Sequence, residues 1–289
     1  MPEMKLATLT QSIAEVPALL HDLMPTGLSL DSRSTENGSV FVALPGFESD
    51  GRDYIDAAFS RGAVAVLAEA EGLESADPRV VPIRGLKTHL GEIARRFYRN
   101  PSNDLSLLAV TGTNGKTSIT DYIGQLLRLL GTPAGTVGTL GARTRAAEAV
   151  DAQNTTPDIV SLNQCLANWR DEGVHHAAIE ASSHALEQGR LDGLTVHTGV
   201  FSNLTRDHLD YHGDLESYRK AKLRLFTDFN PARVIYNADD SATHDARDLS
   251  SNPALGVSLV DPHADVYVKV LSETSAGLQF KIHSPYGSA

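Results

Sequence analysis

The chain is organised around one stretch, Leu105-Ser106-Leu107-Leu108-Ala109-Val110-Thr111-Gly112-Thr113-Asn114-Gly115-Lys116-Thr117-Ser118, which is followed by an apolar-periodic segment up to Leu130. This order of patterns indicates a strand, a phosphate loop and a helix. The glycines permit close backbone approach to an anion, Lys116 supplies a positive charge, and Thr117 supplies a hydroxyl for Mg²⁺. Gly112 and Gly115 are closer together than in the common G-x-x-x-x-G-K-[ST] pattern, so an ordinary strand-to-helix turn remains the alternative.

Composition narrows the class of protein. The chain has 289 residues, 41% of them hydrophobic, which is enough for two globular domains. A formal net charge of −11 argues against broad electrostatic binding to nucleic acid or acidic membranes, although a local basic pocket for phosphates remains compatible with it. The sequence has neither an apolar run of transmembrane length nor a signal-peptide pattern, and it has one cysteine, Cys165. We therefore expect a cytoplasmic protein without an internal disulfide.

The first part of the chain alternates between strand and helix patterns. Apolar runs predict strands at 40–44, 63–68 and 80–83, and helical spacing predicts helices at 54–60 and 86–98. The Asn100-Pro101-Ser102-Asn103 segment then breaks the pattern. We predict a small N-terminal α/β domain over residues 1–88 and a central domain over residues 89–289.

The second part has the pattern of parallel βαβ units. Strands are predicted at 105–110, 176–181, 198–203 and 233–237, and helices at 116–130, 158–170 and 214–229. Alternation on both sides of a Ser-Ala-Gly turn predicts an antiparallel hairpin of 264–270 with 277–283. The fold class is therefore α/β, with a mostly parallel sheet in the central domain. Because the sequence stops soon after a strand, we expect that domain to be incomplete at its C-terminus.

Polar side chains follow two of the predicted strands, where ligands bind in open parallel sheets. Glu180 stands at the end of one strand and is a hard oxygen donor suited to Mg²⁺. His208 follows another strand and is either a metal ligand or a loop histidine. No cysteine partner supports a zinc site. On spacing alone, Lys222 is more readily a solvated helix face than a site residue.

Two further positions have a structural and a functional interpretation. Thr156 and Pro157 resemble a helix entry, with Thr156 as N-cap and Pro157 at the first helical position. Arg190 is either a surface residue or a bidentate carboxylate ligand.

The sequence resembles the Mur ligases of bacterial cell-wall synthesis over essentially the whole chain. The matching strings are Leu30-Asp31-Ser32-Arg33, Phe41-Val42-Ala43-Leu44-Pro45-Gly46, Asp50-Gly51-Arg52-Asp53-Tyr54-Ile55, Thr111 to Thr117, Asn154-Thr155-Thr156-Pro157, Glu180 to Leu186, and Asn203 to Gly213. The phosphate loop is shared with folylpolyglutamate synthetases. The Ser-Ser-His-Ala-Leu and Asp-His-Leu-Asp-Tyr-His-Gly strings point to the family member that adds a diamino acid.

The resemblance implies an ATP-dependent amide ligase of peptidoglycan precursor synthesis with a phosphate-loop ATPase domain. ATP phosphorylates the D-glutamate carboxylate of UDP-N-acetylmuramoyl-L-alanyl-D-glutamate. The amine of meso-diaminopimelate or L-lysine then displaces phosphate from the acyl phosphate. ATP and Mg²⁺ are the implied cofactors. The partners are the UDP-muramoyl dipeptide and the diamino acid, without nucleic acid or membrane, and the protein is expected to be a monomer.

The resemblance also assigns roles to individual residues. The catalytic residues are Lys116, Lys222, Glu180 and His208. The ATP site comprises Gly112, Thr113, Asn114, Gly115, Lys116, Thr117 and Ser118. The metal ligands are Thr117, Glu180, His208 and Lys222, the last as a carbamate. The substrate residues are Leu30, Ser32, Phe47, Glu48, Ser49, Asn154, Thr155, Thr156, Ser182, Gln188 and Arg190.

Family members also have a C-terminal domain that binds the incoming amino acid, and no stretch of this sequence matches it. The first alternative is therefore an inactive nucleotide- or UDP-sugar-binding fragment of such an enzyme. The second alternative is a folylpolyglutamate synthetase-like ligase.

Overall fold

The chain divides into two units, each built around one β-sheet. The sheet of the first unit is wholly parallel, and that of the second is mostly parallel. The computed structural model describes residues 4–46, 49–144, 154–275 and 277–289. The first unit comprises the described residues of Met1–Pro101, Asp158–Asn168 and Gly189–Leu194, and the second comprises those of Ser102–Pro157, Trp169–Gln188 and Thr195–Ala289. The predicted assignment of 1–88 to UDP binding and 89–289 to ATP binding stays a prediction.

In the first unit, the described residues form four parallel strands in the order β1-β2-β3-β4. The elements are α1 (Leu6–Leu9), β1 (Leu28–Ser29), β2 (Val40–Ala43), α2 (Ile55–Ser60), β3 (Ala65–Glu69), β4 (Val80–Ile83) and α3 (Leu86–Phe97). Every residue of β2 is buried, as expected for a parallel strand covered on both faces. The predicted strands and helices of this part are thus confirmed, with shifts of a few residues at their ends.

The remaining helices and strands belong to the second unit, apart from the first residue of one helix and most of another. They are α4 (Pro101–Asp104, which begins on the last residue of the first unit), β5 (Ser106–Thr111), α5 (Lys116–Leu129), β6 (Ala134–Gly138), β7 (Gly141–Arg143), α6 (Ile159–Asp171, most of which belongs to the first unit), β8 (His176–Glu180), α7 (Ser183–Glu187), β9 (Thr198–Phe201), α8 (Leu209–His212), α9 (Leu215–Thr227), β10 (Arg233–Asn237), α10 (His244–Asp248), β11 (Ala254–Ser258), β12 (Val266–Thr274), β13 (Gly277–Ser284) and β14 (Gly287–Ser288).

Ten strands of the described residues form one sheet in the order β14-β13-β12-β11-β10-β9-β5-β8-β6-β7. Within this order, each pair of neighbouring strands between β12 and β6 is parallel. At the two edges of the sheet, β13 and β14 on one side and β7 on the other pair in antiparallel orientation. Strand β5 lies between β8 and β9, so its carboxyl end is flanked by the ends of both neighbours. The predicted α/β class and the predicted hairpin, now β12 with β13, are confirmed.

Four strands of this sheet were not predicted: β6, β7, β11 and β14. Strand β6 has the sequence Ala-Gly-Thr-Val-Gly and is buried throughout. Two glycines dilute the β-branched signal on which strand prediction depends. Gly135 is nevertheless well placed, because a Cβ there would overlap the six-membered ring of Trp169.

The predicted entry to the helix α6 was wrong in detail. The side chain of Asp158 accepts hydrogen bonds from the backbone N–H groups of Val160, at 2.9 Å, and Ser161, at 3.0 Å, so Asp158 is the N-cap. Thr156 does not cap this helix; its hydroxyl donates to the carbonyl of Glu180 at 2.6 Å. Pro157 precedes the cap and is therefore not at the first helical position.

No helix within the described ranges is both long enough and apolar enough to cross a membrane.

Gly135→Ala should destabilise the second unit by about 1–3 kcal/mol, because the added methyl overlaps the buried Trp169 ring. Urea unfolding followed by far-UV circular dichroism measures the loss. In a Trp169→Leu background the same glycine substitution should cost clearly less, because the ring is gone. An equal cost in both backgrounds would show that the ring is not the reason for glycine at this position.

Candidate active site

The phosphate loop connects the end of β5 to the start of α5. Gly112 has φ +143° and Gly115 has φ +85°, both in the region that favours glycine. A Cβ at Gly112 would also overlap the hydroxyl of Ser202. Helix α5 begins at Lys116, so the first backbone N–H groups of this helix have no intrahelical partner and are available to an anion.

Asn203 fixes the loop from the neighbouring strand end. Its backbone carbonyl accepts from the Thr113 N–H, and its side-chain oxygen accepts from the Asn114 N–H, both at 2.9 Å. Its side-chain amide donates to the Asn114 carbonyl at 3.0 Å, and the Ser202 hydroxyl donates to the same carbonyl at 2.7 Å. The loop is therefore held in one conformation by the segment that follows β9.

Glu180 ends β8 on the other side of the loop and is 1% exposed. Its Oε2 accepts from the Thr117 hydroxyl at 2.9 Å, and its Oε1 accepts from the backbone N–H of Thr139 at 2.8 Å. The predicted pair of Thr117 and Glu180 is thus in direct contact, although 63 residues separate them in sequence.

Lys116 and Lys222 converge on one carbonyl oxygen. The Nζ of Lys116 donates to the carbonyls of Gly112 and Thr113, both at 2.9 Å. The Nζ of Lys222, on α9, donates to the same Gly112 carbonyl at 2.7 Å and lies 4.3 Å from the centre of the Tyr218 ring. Lys222 is 1% exposed, so the solvated-face interpretation of this residue was wrong.

Burial changes the acidity of both lysines. Burial and, to a smaller extent, the Lys116 charge lower the pKa of Lys222 to about 7, against the attraction of Asp207. Burial also lowers the pKa of Lys116, while the Glu180 and Asp207 carboxylates oppose that shift. Near neutral pH, a substantial fraction of the Lys222 side chain is therefore an uncharged amine.

His208 lies at the rim of this cluster. It has φ +51°, and its side chain is 46% exposed. Its Nε2 is 3.5 Å from a carboxylate oxygen of Asp207, and its ring packs edge-on against that of His184, with centroids 4.8 Å apart. The predicted role of His208 as a metal ligand stays a prediction.

Three of the predicted substrate residues of the second unit lie near Glu180, namely Thr155, Thr156 and Ser182. The hydroxyl of Thr155 accepts from that of Thr139 at 3.4 Å, and the hydroxyls of Thr156 and Ser182 are 3.4 Å apart. The side-chain amide of Gln188 donates to the Tyr211 hydroxyl at 3.1 Å. Asn154 is exposed.

The other predicted substrate residues belong to the first unit. Ser32 is buried, Leu30 and Arg190 are half-buried, and Ser49 is exposed. Phe47 and Glu48 lie outside the described residues. The roles predicted for this group stay predictions.

Several residues that support the cluster were absent from the predicted site. Asn203 holds the loop, Thr139 holds Glu180, and the hydroxyl of the buried Tyr218 donates to that of Thr113 at 3.2 Å. The position of Asn203 after a predicted strand was a usable signal. Thr139 follows an unpredicted strand, and Tyr218 looked like one apolar position of a helix, so neither had a comparable signal.

The oxygen donors beside the loop suit Mg²⁺. Among the described residues, no group of three His, Cys, Asp or Glu side chains could hold a metal ion. The adjacent Thr117 hydroxyl and Glu180 carboxylate are nevertheless the hard oxygen donors that Mg²⁺ prefers, and Mg²⁺ usually takes only one or two protein carboxylates and completes its shell with water and phosphate. These two residues therefore fit the ion.

Fold and loop together define a phosphate-loop α/β protein with two lysines at the loop. Two family descriptions match the chain: "Mur ligase middle domain" over residues 110–289 and "Mur ligase family, catalytic domain" over residues 25–98. The chain belongs to the Mur ligase family.

Its relatives are also similar over most of its length. The chain is 40% identical to the UDP-N-acetylmuramoyl-L-alanyl-D-glutamate--2,6-diaminopimelate ligase of Ectopseudomonas mendocina (strain ymp), with 94% of this chain and 58% of that protein covered. It is also 40% identical to the ligase of the same name from Pseudomonas aeruginosa, with 94% and 56% covered. A solved structure of a ligase with this name matches with a TM-score of 0.84 at 33% identity, covering 100% of this chain and 59% of the other. The chain thus spans somewhat more than half the length of these relatives.

The buried amine of Lys222 should make stability depend on pH. The folded protein releases this proton near pH 7, whereas the unfolded chain keeps it up to the usual value of 10.5, so the unfolded state binds more protons in between and stability rises with pH. Compared with Lys222→Met, the wild type should gain on the order of 2 kcal/mol between pH 7 and pH 9. Urea unfolding in CO₂-free buffer measures this difference.

Lys220→Met is the matched control, because Lys220 lies on the same helix with its side chain 72% exposed. It should show the pH dependence of the wild type. If Lys222→Met also has the pH dependence of the wild type, the amine is not in the buried position described.

Proposed function

We propose that this chain carries the ATP-binding and UDP-muramoyl-peptide-binding parts of an ATP-dependent amide ligase. The proposed substrate is UDP-N-acetylmuramoyl-L-alanyl-D-glutamate, and the amino acid added is 2,6-diaminopimelate rather than L-lysine. The names of the relatives, at 40% identity over 94% of this chain, support the choice of substrates. ATP transfers its γ-phosphoryl group to the D-glutamate carboxylate, and the incoming amine then displaces phosphate.

The observation that carries the proposal is the convergence of Lys116 and Lys222 on the Gly112 carbonyl beside the Thr117 and Glu180 pair. A carboxylate and a triphosphate repel each other, so their reaction needs fixed positive charge and a fixed orientation. The loop N–H groups and the start of α5 would bind the phosphates, and Lys116 would offset their charge. Thr117 and Glu180 would hold Mg²⁺, which neutralises phosphate charge when bound.

Lys222 has a second property that supports this function. A neutral amine can attack the carbon of CO₂ and lose a proton, which gives a carbamate with a negative charge. The pKa of about 7 leaves the amine of Lys222 partly neutral at neutral pH. We propose that this modification converts Lys222 from a cation into an oxygen ligand for Mg²⁺, with His208 as a further ligand.

Substrate binding is proposed for the remaining residues of the family pattern. Thr155, Thr156 and Ser182 lie near Glu180, and Gln188 follows α7; these four residues would hold the muramoyl-dipeptide end. The same role is proposed for Arg190, because it matches the family pattern. Leu30, Ser32 and the 47–49 segment would contact the UDP end. A cytoplasmic monomer is proposed on the same basis.

Lys116→Ala should abolish ATP turnover and weaken ATP binding, because it removes the loop's point charge. Isothermal titration of ATP with Mg²⁺ and phosphate release measure the two effects. Lys220→Ala, an exposed lysine on α9, is the control and should behave as the wild type. Near-normal ATP binding by Lys116→Ala would refute the phosphate-loop assignment.

UDP-N-acetylmuramoyl-L-alanyl-D-glutamate should bind this chain, whereas dihydrofolate should not. Titration of each compound separates the proposed ligase from a folylpolyglutamate synthetase-like enzyme. Phosphate release that depends on both the dipeptide and diaminopimelate separates a ligase from a binding fragment without activity. Binding of dihydrofolate alone would overturn the assignment.

A further inference from the structure

A second hydrogen-bonded cluster lies next to the proposed site. The ring of His212, the last residue of α8, contacts two residues of α7. Its Nδ1 is 2.9 Å from a carboxylate oxygen of Glu187, and its Nε2 is 3.0 Å from the hydroxyl oxygen of Ser183. The side chain of His212 is 1% exposed, whereas that of Glu187 is 49% exposed. A buried imidazole therefore bridges a buried hydroxyl and a carboxylate that reaches solvent.

These partners determine where the imidazole proton lies. An ionised carboxylate only accepts hydrogen bonds, so the Nδ1 of His212 carries the proton and donates to Glu187. The Nε2 is then an acceptor, and the hydroxyl of Ser183 donates to it. Serine, histidine and glutamate thus form one directional chain of hydrogen bonds.

The same three residue types occur in the same order in nucleophilic hydrolases. A nucleophilic serine must reach its substrate, but Ser183 is only 2% exposed. The chain of hydrogen bonds is therefore better suited to holding structure than to attacking a substrate.

The cluster ties together two segments that carry predicted substrate and metal residues. Ser183 and Glu187 are the first and last residues of α7, so His212 contacts this helix along its whole length. Ser182 caps α7 by accepting from the Ala185 N–H at 3.1 Å, and Gln188 follows its last residue. The Gln188 amide reaches Tyr211 on α8 at 3.1 Å.

Aromatic packing continues the same interface. The ring of His184, on α7, lies 4.2 Å from that of Tyr211 and 4.8 Å from that of His208, measured between centroids. A shift of α7 relative to α8 would therefore displace Ser182 and Gln188 relative to His208.

We propose that Glu187 and His212 are positioning residues, which fix α7 against α8 so that Ser182 and Gln188 are preorganised for the muramoyl-dipeptide. This inference rests on the proposed function for the identity of the ligand. Bonds that orient the groups contacting a ligand commonly affect affinity or activity by roughly 10- to 100-fold. Glu187 touches neither the phosphate loop nor the lysines in the contacts described, so ATP binding should not depend on it.

The test compares Glu187→Ala with the conservative variant Glu187→Gln, whose amide oxygen can still accept from Nδ1. Titration of UDP-N-acetylmuramoyl-L-alanyl-D-glutamate should show a roughly tenfold weaker Kd for Glu187→Ala and partial rescue by Glu187→Gln. The Kd for ATP should change less than about twofold in both. Glu172→Ala, an exposed glutamate, is the matched control and should bind both ligands as the wild type does. Because Glu187 is half-exposed, its variants are expected to fold.

Nitrogen-15 NMR of the histidine rings tests the cluster without any ligand. Wild-type His212 should be the Nδ1–H tautomer, and Glu187→Ala should lose this preference. A wild-type Nε2–H tautomer, an unchanged dipeptide Kd in Glu187→Ala, or an equal loss of ATP binding would overturn the positioning role. Labelling of Ser183 by a fluorophosphonate would overturn it in favour of a nucleophile. If the wild type binds no dipeptide, the proposed function fails and the positioning role fails with it, while the tautomer still reports on the hydrogen bonds.

Discussion

Two ammonium groups, those of Lys116 and Lys222, donate to the single carbonyl oxygen of Gly112. Burial disfavours the charged form of the Lys222 amine, and the nearby Lys116 charge adds to this cost, which is why the pKa of Lys222 falls to about 7. The carboxylates of Glu180 and Asp207 offset part of this cost. The chain as a whole carries a net charge of −11, and yet two lysines meet at the loop. An anionic ligand would relieve the repulsion between the lysines.

The loop depends on the sheet for its shape. Strand β5 lies between β8 and β9. Glu180 at the end of β8 and Asn203 after β9 therefore flank the phosphate loop that follows β5. Asn203 bonds to the backbone of the loop, and Glu180 bonds to Thr117 at the start of α5. Parallel pairing therefore converts three distant sequence segments into one rigid site. The segment of α7 and α8 extends this site from Glu180 towards Ser182 and Gln188.

Local patterns predicted much of this architecture. The apolar run, loop and helix around Gly112, the recurring strands and the C-terminal hairpin all agree with the structure. The failures have physical causes. Strand β6 contains two glycines because the Trp169 ring occupies the side-chain space at Gly135 and the Glu180 side chain occupies it at Gly138, so the sequence of β6 does not look like a strand. Asp158 caps the helix α6 in place of Thr156, whose hydroxyl is used by the Glu180 carbonyl; two adjacent candidates cannot be separated by capping propensity alone.

The sequence by itself determined the phosphate loop, the α/β class and the family, because each depends on residues close together in the chain or on strings that match relatives. Only the tertiary structure decided the environment of Lys222, which is 110 residues from Gly112 and yet bonded to its carbonyl. By pattern, Lys222 cannot be distinguished from Lys220 two positions earlier. Burial decides between them, because the pKa of an amine depends on the solvent and charges that packing places around it, and packing brings together residues that local periodicity does not relate.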